Sequence, residues 1–195
     1  MSQTDNQFRE FYGAYLSAAH SCLDTVEIAD VQAVVDALWE AYKSRKRVYV
    51  AGNGGSAANA IHFACCLSQG TMVEGKPPLR AESLLGNTCF LTAVANDNGF
   101  EHVFHRQLQT CLEPGDAFIA LSCSGNSPNV VSAMEYAQKI GAHTIAFLGF
   151  AGGLLKQLAQ HTVYVENYNY GQVETLHLHL AHLISQQLKQ RIMES

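Results

Sequence analysis

Apolar positions along this chain recur in two rhythms. Over 27–45, Ile28, Val31, Val35, Leu38 and Tyr42 return at the spacing of a helix face, and residues 5–20 read as a helix before it. From residue 47 onward, short apolar runs alternate with longer amphipathic stretches. The runs predict strands at 47–51, near 80–85, and at 117–121, 143–148 and 162–166. The stretches between them predict helices at 56–68, 91–95, 100–111, 127–140 and 152–159, and a long one at 172–192. Pro77-Pro78 holds a loop over 70–79, while Asn96-Asp97-Asn98-Gly99 and Glu113-Pro114-Gly115-Asp116 read as turns. Strands alternating with helices imply right-handed crossovers. The expected fold is a three-layer α/β/α sandwich around a five-stranded, mostly parallel sheet. The two N-terminal helices and the long C-terminal one exceed what such a sheet needs. The reading is one domain, with 1–46 a helical segment for subunit contact and 47–195 the α/β core.

Two of the strands run into similar loops. Arg47–Ala51 leads into Gly52-Asn53-Gly54-Gly55-Ser56, and 117–121 leads into Ser122-Cys123-Ser124-Gly125-Asn126-Ser127. Each loop is built of glycine and small hydroxyl or amide residues ahead of a helix, where free backbone N–H groups and the helix dipole favour an anion. In such sheets ligands bind beyond the carboxyl ends of the strands. The first loop lacks the GxGxxG spacing of a dinucleotide site, and no Gly-Lys-Ser/Thr follows to make a P-loop. Its plain alternative is a tight strand-to-helix turn. In the second loop, serine hydroxyls can donate to phosphate oxygens. Ser127 also suits an ordinary N-cap. Together the loops point to a phosphorylated, hydroxyl-rich small molecule.

Composition narrows the partners. Of 195 residues, 48% are hydrophobic and 15% charged, and the net charge of −5 with no basic run argues against nucleic acid. The N-terminus is polar without an apolar signal core, and no apolar stretch approaches a membrane span. The six cysteines form no CxxC pattern and mostly sit in apolar runs, so a reduced, cytoplasmic protein is expected.

Three further groups carry possible chemistry. His62 and Cys66 are four apart on a predicted helix and face one way, a spacing that suits a soft metal such as zinc or a plain core contact. The C-terminal helix carries Glu174, His177, His179 and His182. Glu174 and His182, eight apart, share a face and offer acid/base groups or further metal ligands, or else a polar subunit contact. Asn96 and Asp97, in a loop before a helix, suit either a cap or a contact to a sugar hydroxyl.

The stretches VAGNGGSAANAIHFACCL, LTAVANDNGFEHVF, GDAFIALSCSGNSPNVVSAM and YGQVETLHLHLAHLI, in this order, resemble the sugar isomerase (SIS) domain and, within it, the phosphoheptose isomerases. The resemblance covers about 30–190. It implies the flavodoxin-like SIS fold and a homotetramer with active sites at subunit interfaces. The implied reaction converts sedoheptulose 7-phosphate to D-glycero-D-manno-heptose 7-phosphate, for the heptoses of lipopolysaccharide or capsule. It also implies site roles. Asn53, Gly54, Gly55 and Ser56 would contact the sugar, with Asn96 and Asp97. Ser122, Cys123, Ser124 and Ser127 would cradle the phosphate. His62, Cys66, Glu174 and His182 would hold zinc, and His182 would also be the acid/base histidine.

The chain departs from that pattern. The family has glutamate at the Cys66 position, glutamine at Glu174, threonine at Cys123 and arginine at Gly70. The expectation drawn from this is that the carboxylate has moved across the pocket, with Glu174 as base and Cys66 as a soft ligand. The DnaA initiator-associating protein shares the fold and a similar SAANAxHFA stretch, also lacks the glutamate, and binds a replication initiator. It lacks a histidine matching His182, which this chain has. The enzyme is therefore the first reading, and a protein-binding or non-catalytic phosphosugar-binding SIS protein the second.

Overall fold

The computed structural model describes residues 3–195. Five strands, β1 (Arg47–Gly52), β2 (Arg80–Ser83), β3 (Ala117–Ser122), β4 (His143–Leu148) and β5 (His161–Tyr164), form one sheet in the order β2-β1-β3-β4-β5. All neighbouring pairs are parallel, so the sheet is wholly rather than mostly parallel. A parallel strand covered on both faces needs apolar side chains at every position. Hence β3 is buried throughout and reads as an unbroken run.

Alternate side chains feed two cores. Val48, Val50, Ile119, Leu121, Ile145 and Phe147 pack with helices α2 (Ile28–Lys43), α3 (Gly55–Ser68) and α8 (Tyr170–Glu194). Tyr49, Ala51, Phe118, Ala120 and Leu148 pack on the other side with α5 (Val103–Cys111) and α6 (Pro128–Ile140). The chain leaves β1 toward β2 and then returns to the far side of β1 for β3. The strand order therefore reverses between β1 and β3, and the glycine and serine loops flank that switch point at the carboxyl ends of the two strands.

Three boundaries differ from expectation. Helix α4 runs Thr88–Asn98, so Asn96 and Asp97 form its last turn instead of a loop. The Asn87 side chain accepts from the Phe90 N–H to start this helix, and Gly99, at φ 99°, ends it. The helix expected over 100–111 splits into a 3-10 turn, Phe100–His102, and α5. The helix expected over 152–159 is a single turn, α7 (Leu155–Leu158), because Gly152 and Gly153 adopt positive φ and leave a loop at 149–153.

Helix α1 (Gln3–Leu23) stands largely outside the sandwich, with Phe8 and Phe11 each 65% exposed. Its end is tied to the core: Gln172 Nε2 donates to the Tyr15 carbonyl at 2.8 Å, and Asn167 Nδ2 donates to Cys22 Sγ at 3.1 Å. Among the described residues no helix is long and apolar enough to cross a membrane.

Candidate active site

The glycine loop is shaped by close approach. Gly52 ends β1 where an added Cβ would lie 2.6 Å from the Ser56 carbonyl oxygen and 2.9 Å from that of Leu121, so no side chain fits between helix and sheet. Gly54 takes φ +57° and places Gly55 at the first turn of α3, whose leading N–H groups have no acceptor within the helix. Asn53 and Asn129 exchange side-chain hydrogen bonds at 2.8 and 2.9 Å and so tie the glycine loop to the start of α6.

The serine loop is organised by its own hydroxyls. Ser122 Oγ accepts from the Gly125 N–H at 3.1 Å and Ser124 Oγ from the Asn126 N–H at 3.3 Å. Gly125, at φ +65°, lies so close to the 149–153 loop that a Cβ would meet the Gly152 carbonyl. The Leu155 N–H donates to the Gly125 carbonyl, the Leu154 N–H to Asn126 Oδ1 and the Gly149 N–H to the Cys123 carbonyl, at 2.9–3.1 Å. Ser127 does occupy the N-cap position of α6, but its hydroxyl makes no capping bond. It faces a cavity of about 110 Å³ instead.

That cavity brings together most of the expected binding residues. Asn53 and Ser56 line it from the glycine loop, Ser122, Cys123, Ser124 and Ser127 from the serine loop, and Tyr170 and Glu174 from α8. Burial pushes the Cys123 thiol up, a Ser56 contact at 3.9 Å opposes this and the Glu174 charge adds to it. Cys123 lines the cavity with its thiol pushed toward the neutral form by burial.

A second group stands further along the same two helices. His62 Nε2 lies 3.2 Å from His182 Nε2, and Cys66 Sγ lies 4.0 Å from His182 Nδ1. One donor atom from each of the three falls within 4.8 Å of the others. His62 is exposed, while Cys66 and His182 are half-buried. Burial, with Cys65 adding to it, pushes the Cys66 thiol above its ordinary value.

Glu174 does not join this group, although it shares a helix face with His182. Eight residues of helix separate the two by about 12 Å along the axis. The Glu174 carbonyl accepts from Asn59 Nδ2 at 2.7 Å, and its carboxylate lies over Gly55, where an added Cβ would come within 2.1 and 2.5 Å of its oxygens. Nor are Asn96 and Asp97 brought to the cavity: both are exposed on α4, and Asn96 Nδ2 donates to Asp97 Oδ1 at 2.8 Å. His177 belongs to the core, with Nε2 donating to the Leu148 carbonyl at 3.0 Å, and His179 is exposed.

Sequence reasoning missed Tyr170, Asn129 and the buttress at 149–153. The glycines of Gly149-Phe150-Ala151-Gly152-Gly153 were the available signal for the last.

A parallel sheet with two small-residue loops at its switch point, closed by a long C-terminal helix, defines a sugar isomerase-type domain, and residues 12–149 match the SIS domain family. The chain belongs to the phosphoheptose isomerase family within it. It is 39% identical over 166 residues to the phosphoheptose isomerase of Mycobacterium tuberculosis, covering 85% of this chain and 84% of that one. To the Aquifex aeolicus phosphoheptose isomerase it is 37% identical over 187 residues, covering 96% and 95%. Its fold is similar to that of the phosphoheptose isomerase from Francisella tularensis, with a TM-score of 0.86, 25% identity and coverage of 97% and 100%.

Proposed function

We propose that this protein is an aldose–ketose isomerase that interconverts sedoheptulose 7-phosphate and D-glycero-D-manno-heptose 7-phosphate, supplying heptose for lipopolysaccharide or capsule. The observation that carries the proposal is the arrangement of the two helices. α3 and α8 both start at the small-residue cavity, and both contribute to the His62–Cys66–His182 group further along.

In this reading the phosphate sits in the serine loop, held by Ser122, Ser124, Ser127 and loop N–H groups. Asn53, Gly54, Gly55 and Ser56 contact the sugar, and Asn96 and Asp97 would do so from a neighbouring subunit. The phosphate anchor fixes the reacting end. In the ketose-to-aldose direction a base takes a proton from C1, and the enediol so formed is protonated at C2. A proton shifts from the C1 oxygen to the C2 oxygen, leaving the carbonyl at C1. His182 suits this work because an imidazole takes and gives protons near neutrality. Burial pushes the Cys66 thiol up, so in the absence of a metal it is a poor base beside His182. Glu174 lies over Gly55, apart from the His62–Cys66–His182 group, so in this reading the base role expected for it passes to His182.

The two imidazoles and the soft sulfur suit zinc, with His62, Cys66 and His182 as the holding residues. A bound zinc ion would polarise the substrate carbonyl. A His182 that held zinc through one ring nitrogen would keep its proton on the other and would serve as the proton donor.

The exposed aromatic side chains of α1 and the open side of His62 support a homotetramer with active sites at subunit interfaces, 1–46 serving assembly and 47–195 the chemistry. A chain that sediments as a monomer at micromolar concentration would refute this. The six free cysteines support a cytoplasmic location.

Incubation of the purified protein with sedoheptulose 7-phosphate, with and without zinc, tests the reaction. The expected result is aldose phosphate formation, at least about 100-fold slower in His182→Asn with phosphosugar binding retained. No turnover and no phosphosugar binding, together with capture of a replication initiator, would establish the protein-binding reading instead.

A further inference from the structure

Glu174 places a negative charge inside a cavity built for an anion. Its carboxylate lies over Gly55, at the start of α3, and it lines the same cavity of about 110 Å³ as Ser122, Ser124 and Ser127. Among the described residues no lysine or arginine lines that cavity. A phosphate there relies on neutral hydroxyl, amide and backbone donors, while Glu174 repels it at short range. Among the described residues no hydrogen bond or ion pair holds the Glu174 carboxylate, and the side chain is only half-buried. It is therefore a charge placed by helix geometry and free to turn.

We propose that Glu174 is an internal competitor for the phosphate: its carboxylate lines the same small cavity as the serine loop, and a phosphosugar binds by turning it aside. The inference rests on the reading of the serine loop as the phosphate holder. Glu174 thereby sets the affinity of the site for anions. An inorganic phosphate has only one or two P–OH donors to offer the displaced carboxylate. A phosphorylated sugar presents hydroxyls that can donate to the displaced carboxylate and recover part of the loss. The residue thus discriminates between phosphorylated polyols and bare phosphate.

Titration calorimetry of inorganic phosphate into the full chain, the Glu174→Gln and Glu174→Ala variants and Ser124→Ala tests this. Both Glu174 variants should bind phosphate at least about tenfold more tightly than the parent, and Ser124→Ala more weakly. Phosphate binding that Ser124→Ala weakens but neither Glu174 variant tightens would overturn the competitor and leave the phosphate loop standing. Tightening by Glu174→Gln alone would trace the gain to a new amide donor and also overturn it. If Ser124→Ala changes nothing, or none of the four proteins binds phosphate, the loop assignment fails and the inference with it.

Discussion

The fully buried His177 makes the stability of this fold depend on pH in a calculable way. The imidazole sits between α8 and the end of β4, donates from Nε2 to the Leu148 carbonyl and meets the Phe147 ring at 5.8 Å. Its Nδ1 is buried and has no hydrogen-bond partner among the described residues. Burial pushes the group down to about 4, against a smaller upward pull from the Leu148 carbonyl. In the unfolded chain a histidine titrates near about 6.5. Between these values the unfolded chain binds a proton that the folded chain refuses. Stability is therefore complete above the unfolded value and declines as pH falls toward the folded one. Going from about pH 7.5 to about pH 4.5, this residue alone should remove about 2.5 kcal/mol. Urea unfolding at fixed chain concentration, at both pH values, measures it for the parent and His177→Gln. The variant starts from a lower stability because its packing is imperfect, but its decline over the interval should be smaller by about 2.5 kcal/mol. Equal declines in the two proteins would refute the assignment.

Ser127→Ala should leave unfolding free energy within about 0.5 kcal/mol, because the hydroxyl makes no cap bond, yet weaken phosphosugar binding several-fold by calorimetry. A loss of about 1 kcal/mol without a binding change would restore the capping role. Gly52→Ala should destabilise by about 2–3 kcal/mol in denaturant titration, since the new Cβ meets backbone oxygens of both α3 and β3. Metal analysis after equilibration with zinc and dialysis should find a single zinc ion per chain, lost in the His62→Ala/His182→Ala double variant. Equal zinc in both would move the metal elsewhere.

The layered architecture was legible because the strands are covered on both faces and the helices on one, which writes the two rhythms directly into residue type. What failed depended on longer range. Asn96-Asp97-Asn98-Gly99 has turn composition, but Asn87 starts α4 early and the helix persists until Gly99 forces it to stop. Glu174 and His182 share a face by periodicity, and a shared face says nothing of the two turns between them. The position of Ser127 at the helix start was readable; that its hydroxyl turns to the cavity was not, because tertiary packing decides between two partners of similar worth. The 149–153 buttress depends on Gly125 meeting Gly152 across the fold, a contact no local pattern announces.

The common origin of α3 and α8 at the cavity makes the pair a ruler. From Gly55 to His62 is about 10 Å of helix, and the rise per residue does not stretch. On the reading that the phosphate sits in the serine loop, a chain of too few carbons would fall short of His182 and a longer one would reach it. Selection by length then needs no contact with the middle of the sugar. Turnover compared across triose, pentose, hexose and heptose phosphates should rise with chain length, and a flat series would show that something other than helix length sets the choice.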